Sequence, residues 1–188
     1  IYAGIKVSAK DLERVSERIG EEMELWSRRE REELLKQQPP ICGKKTIPVL
    51  YVSYDGTGVP MTRTELAGRR GKQADGSALT REAKLGCVFT QTTTDEKGFP
   101  VRDSGSTSFV AAIESSDEFG RRIYAEAVRR GLYDAELVVV IGDAAEWIRT
   151  IREEHFPGAI QIIDMYHARE HVSNLCKLLF GSDEKQVV

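Results

Sequence analysis

The sequence predicts an α/β domain on a mixed sheet, half antiparallel and half parallel, preceded by a helical N-terminal segment. Three observations carry that expectation. Residues 8–38 place apolar side chains three and four apart, the spacing of one helix stripe. Between Ile47 and Ile113 lie three runs rich in β-branched and aromatic residues, separated by turn signals. From Ser115 onward helix-like and strand-like runs alternate.

The first element is predicted from Leu12, Val15, Ile19, Met23 and Trp26, which share one face, with Ser8 and Asp11 as an N-terminal cap. Gly20 leaves open a break into two helices of a helix-turn-helix; a single solvated amphipathic helix is the expected form. Gln37-Gln38-Pro39-Pro40 ends it and sets a domain boundary. Strands are then predicted over Ile47–Asp55, Glu82–Thr94 and Val101–Ile113, an antiparallel meander with Asp95-Glu96-Lys97-Gly98 as its second turn. Ser115 and Glu118, at capping-box spacing, open a helix to Arg130, with Phe119, Ile123 and Ala127 along one face and Gly131 as the stop. Ala135–Ile141 is almost unbroken apolar sequence, read as a strand buried on both faces. A helix over Ala144–His155, a second buried strand over Ile160–Ile163 and a helix from Met165 to about Leu179 complete the pattern.

Composition narrows the class. The 188 residues suit one domain with an appendage, 40% of them hydrophobic, and the mean hydropathy is -0.37. No stretch reaches the roughly 18 apolar residues of a membrane span, and the amino end has no apolar signal-peptide core. Cys42, Cys87 and Cys176 are an odd count at no metal-type spacing, which suits a reducing cytoplasm. A net charge of -3 argues against a uniformly basic surface while leaving local patches open. The chain begins on Ile1, so a fragment of a longer protein is expected.

The strand endings hold the chemistry. "YVSYDGTG" is predicted to finish a strand on Asp55, "VVVIGD" on Asp143 and "IQIID" on Asp164. Ligands of open α/β sheets bind in the crevice outside the carboxyl ends of the strands. If the first strand lies beside that from Ala135, Asp55 and Asp143 project into one site, and two carboxylates held together call for a hard divalent cation such as Mg²⁺. Each of Asp143 and Asp164 also stands where it could cap the helix that follows. Asp55 precedes Gly-Thr-Gly and has no helix to cap.

"YVSYDGTGVPM", "VVVIGDAAEWI" and "IQIIDMYHAREHV" together resemble the successive signatures of the RNase H-like DDE transposases of prokaryotic insertion sequences, the ISKra-type group related to Mutator-like elements. The resemblance runs from about Ile47 to Val172. It implies an RNase H-like fold of three antiparallel strands followed by two parallel ones. Asp55 and Asp143 are then the first two catalytic, metal-binding acids, and Asp164 with His167 the aspartate-x-x-histidine motif after the fifth strand. Residues 1–40 become a helical segment consistent with the remnant of a DNA-binding region, 46–175 an incomplete catalytic core, and 176–188 the start of a helical insertion. Ala144 replaces a frequent glycine. The family's glutamate is expected beyond Val188, since neither Glu170 nor Glu184 stands at its position.

The implied activity is DNA cleavage and strand transfer by two-metal phosphoryl transfer with Mg²⁺ or Mn²⁺. The implied partners are element ends and target DNA, bound by a homo-oligomer, in a cytoplasmic protein that associates with the nucleoid through DNA. With the glutamate missing, the chain alone is expected to bind DNA weakly without cleaving it. Arg63, Arg69, Arg70, Lys72, Arg81 and Lys84 give the stretch after Asp55 a local net charge of +3, and a DNA-contacting loop and a merely solvated one are both open. Arg121, Arg122, Arg129 and Arg130 are expected on the solvent face of their helix. One rival is a zinc or iron site of a hydrolase or oxygenase built from Asp164, His167 and His171, at helical spacing. A non-catalytic DNA-binding relic is another.

Overall fold

The computed structural model describes residues 7–36, 46–62 and 80–181. The chain divides into two compact units, Ile1–Pro39 and Pro40–Val188. Among its described residues the first contains one helix, α1 (Ala9–Lys36). Ser8 closes its start, its hydroxyl donating to Asp11 Oδ2 at 2.6 Å while the Asp11 amide donates back to Ser8 Oγ at 3.2 Å. Gly20 does not break it. One glycine costs a helix about 1 kcal/mol, which the good helix formers on either side can absorb.

The second unit is built on a five-stranded mixed sheet: β1 (Ile47–Pro60), β2 (Thr80–Thr90), β5 (Ser108–Ala112), β6 (Ala135–Gly142) and β7 (Ile160–Ile163). Their order is β5-β2-β1-β6-β7. On one side β1 pairs antiparallel with β2, and β2 antiparallel with β5; on the other β6 pairs parallel with β1, and β7 parallel with β6. The helices are α2 (Ser116–Arg129), α3 (Glu146–His155) and α4 (Met165–Phe180). The last runs unbroken through the expected boundary at 175/176.

Alternation along β1 explains the core. Leu50, Val52 and Tyr54 point one way and are buried with Val88, Val140, Phe119 and Ile123 of α2, and Ile148 and Ile151 of α3. The Tyr54 hydroxyl keeps its hydrogen bond inside this core by donating to Ile148 O at 3.1 Å. On the opposite face Tyr51 stacks on Phe89, and the Arg102 guanidinium lies 4.0 Å over the Phe89 ring.

Three expectations about strands are corrected. β1 does not end at Asp55 but runs to Pro60, because β2 continues to pair with it as far as Pro60↔Thr80. The two runs after it are not continuous strands: β2 ends at Thr90, and a two-residue hairpin, β3 (Thr93–Thr94) with β4 (Pro100–Val101), precedes β5. The cause is Asp103, whose carboxylate takes bonds from the Thr90, Thr92 and Thr93 hydroxyls and from the Thr92 and Thr93 amides, folding the chain back on itself. Finally β7 is an edge strand, with Ile160, Ile162 and Ile163 about half exposed. An apolar run does not reveal that a strand has a neighbour on one side only.

Among the described residues no helix is long and apolar enough to cross a membrane.

Candidate metal centre

Register brings the first two acids together. The parallel ladder between β1 and β6 ends at Ser53↔Ile141. Asp55 and Asp143 each stand two residues further on, so they share a level and a face. Neighbouring strands lie about 4.8 Å apart, so two acids 88 positions apart in the sequence come together at that spacing. Just before the acids, Gly142 lies against the Tyr54 carbonyl: a Cβ at Gly142 would stand 3.0 Å from it. Glycine is what lets the strand ends approach.

Each carboxylate is held by a backbone amide. Ala145 N–H donates to Asp143 Oδ1 at 2.7 Å, a turn that leads into α3. Gly56 N–H donates to Asp55 Oδ1, also at 2.7 Å. In both cases the second oxygen lies outside those bonds.

The third member comes from α4. Asp164 is the N-cap of that helix, accepting from Tyr166 N–H at 2.8 Å, so its carboxylate serves the helix start. His167, three residues on, stands at the open end of the first turn. Asp55, Asp143 and His167 each offer a ligand atom, and these atoms lie within 4.8 Å of one another. Two carboxylates and one imidazole at that separation fit a single divalent cation. The N-termini of α3 and α4 adjoin the centre, so its surroundings are rich in backbone amides. Glu170 Oε2 lies 3.9 Å from His167 Nδ1.

The rival zinc set does not assemble. Asp164 caps its helix, His167 belongs with the two aspartates, and His171 is exposed on α4. Among the described residues Asp55, Asp143 and His167 are the one such group.

The expected DNA contacts divide. Arg63, Arg69, Arg70 and Lys72 lie outside the described residues. Arg81 sits on β2, its guanidinium donating to Ile113 O at 3.3 Å. Lys84 is buried rather than on a loop: its ammonium pairs with Glu82 Oε2 at 2.6 Å, bonds Glu114 O at 3.1 Å and lies 5.4 Å over Trp147. An ammonium so enclosed does not meet a phosphate. On α2, Arg121 and Arg129 are exposed beside Glu118 and Glu126. Arg122 is not solvent-facing; it is buried in a two-point pair with Glu114, at 2.7 and 2.9 Å. Arg130 donates to the carbonyls of Gly105 and Ser106.

The sequence placed His167 with Asp164 in a motif, and with Asp164 and His171 in the rival set, but not beside Asp55 and Asp143. Its signal was the spacing: a helix-capping aspartate puts the residue three positions later at the mouth of the helix, on the side of the sheet crevice. The Glu82–Lys84–Trp147 group went unnoticed, because Lys84 reads as one more cation in a basic stretch.

A comparison with models of protein families gives no match, and a comparison with curated protein sequences gives none either.

Proposed function

We propose that this chain carries the RNase H-like core of a DDE-type DNA transposase, acting on DNA by metal-dependent phosphoryl transfer. The observation that carries the reading is the convergence of Asp55, Asp143 and His167 at the carboxyl end of two adjacent parallel strands. A central β1 that pairs antiparallel with β2 on one side and parallel with β6 on the other supports it. So do the three sequence motifs, which lie on β1, at the β6–α3 junction and at the β7–α4 junction.

A bound Mg²⁺ or Mn²⁺ would stabilise charge on the attacking and leaving oxygens of an in-line displacement. The protein's part is to hold the donors. The Gly56 and Ala145 amides fix the carboxylates of Asp55 and Asp143, and the Asp164 cap fixes the first turn of α4 and with it His167. No nucleophile from the protein is needed, and Cys87 has none of the marks of one: burial pushes its thiol pKa up. Arg63, Arg69, Arg70, Lys72 and Arg81 are proposed to meet the DNA backbone, and the working form to be a homo-oligomer on DNA.

The test is calorimetric titration of the chain with Mn²⁺ and Mg²⁺, with Asp55→Ala and Asp143→Ala as controls, beside a nicking assay on supercoiled DNA. Ion binding lost in both variants is expected, with weak DNA binding and no nicking by the chain alone. Failure to bind either ion overturns the reading.

A further inference from the structure

The helix α1 carries a pattern that the proposed activity does not use. Leu12, Val15, Ile19, Met23 and Trp26 form one stripe, and all five are between 48 and 65% exposed. Apolar side chains in a row of this kind mark an interface. The spacings along the stripe are three, four, four and three, so it reads the same in both directions about Ile19.

From this symmetry we propose that α1 pairs antiparallel with α1 of a second copy of this chain, about a two-fold axis passing at Ile19. Reversal about that axis sets Leu12 against the partner's Trp26, Val15 against the partner's Met23 and Ile19 against itself. Each outer layer joins a larger side chain to a smaller one, and the contact is isologous, as a two-fold dimer requires.

The flanks choose the direction. At 100° per residue, Asp11, Arg18, Glu22 and Arg29 line one side of the stripe. In the antiparallel pair, Arg18 faces the partner's Glu22 and Asp11 faces the partner's Arg29. With the two-fold these make four ion pairs of opposite sign. On the other flank Ser16 meets the partner's Gly20, and nothing stands within 4 Å of a Cβ at Gly20, so the backbones have room to close there. A parallel pair would match the apolar layers equally well. Its facing flank positions, about five residues apart, would set each of these charges against an uncharged residue of the partner. Exposed ion pairs add little stability, but they decide between two registers that bury the same apolar surface.

The test uses the full chain in sedimentation and cross-linking. A dimer is expected, lost on Ile19→Glu. Because that variant also burdens the helix, circular dichroism must show α1 intact. Orientation is read from Val15→Cys and Met23→Cys. The double variant should form a disulfide-linked dimer under mild oxidation while neither single variant does so above the wild-type background. A linked dimer from Val15→Cys alone means a parallel pair and overturns the proposal. A monomeric wild-type chain, or a dimer that survives Ile19→Glu, overturns it as well.

Discussion

Gly142 and Tyr54, the residues immediately before the two paired aspartates, touch through backbone: a Cβ at Gly142 would lie 3.0 Å from the Tyr54 carbonyl oxygen and 2.9 Å from Ile148 Cγ2. The closeness of Asp143 to Asp55 rests on the absence of one methyl group. Gly142→Ala should therefore push β6 from β1 where the acids are borne. The expected cost is about 1–3 kcal/mol of stability, the range for overpacking a filled site, with weaker Mn²⁺ binding even when the protein is folded. Denaturant unfolding and calorimetric titration separate the two effects.

An imidazole in the centre shifts its metal preference. Carboxylates suit Mg²⁺ and Mn²⁺ alike, whereas a nitrogen donor favours the later ions of the divalent series. Mn²⁺ should bind tighter than Mg²⁺, and His167→Ala should narrow the gap by weakening Mn²⁺ more. Equal losses for both ions would remove His167 from the ligand set.

The carboxylate of Asp103 is held down to a pKa of about 2, first by the Thr90 hydroxyl and also by the amides and hydroxyls of Thr92 and Thr93. A folded-state pKa below the unfolded value of about 3.9 means the unfolded chain binds the proton more readily. Its contribution is complete above about 4. It is lost progressively as the pH falls towards about 2. Asp103→Asn should flatten the acid limb of the stability curve in that window, as read by urea titration at successive pH values. An unchanged limb would show that the five-bond clamp does not hold in solution.

Arg122 and Glu114 form a two-point pair whose side chains are 10 and 18% exposed. Removing one partner strands a charge in a site with little water, so Arg122→Ala should cost about 3–5 kcal/mol. Replacing both, with Arg122→Met and Glu114→Leu, should recover much of that loss, because the apolar pair has no desolvation penalty. Thermal unfolding of Arg122→Met, Glu114→Leu and the double variant measures the coupling.

Local patterns in the sequence determined much of the fold: α1, α2, β6, α3 and α4 follow from helical or strand periodicity, caps and stops that lie within a few residues of one another. The same reading found Asp55 and Asp143, since an acid after an apolar strand is a local signal. What it could not reach depends on neighbours. Asp55 reads as the end of a strand, but β2 extends that strand to Pro60. Ile160–Ile163 reads as a buried strand, but it has a partner on one side alone. Lys84 and Arg122 read as surface cations until Glu114, from beyond β5, meets both and Trp147 of α3 covers Lys84. The two aspartates become one site, with His167 and without Asp164, only through the parallel register of β1 on β6 and the capping of α4. Periodicity fixes which way a side chain points from its own strand or helix; pairing register and burial are properties of two segments at once, and tertiary structure alone supplies the second.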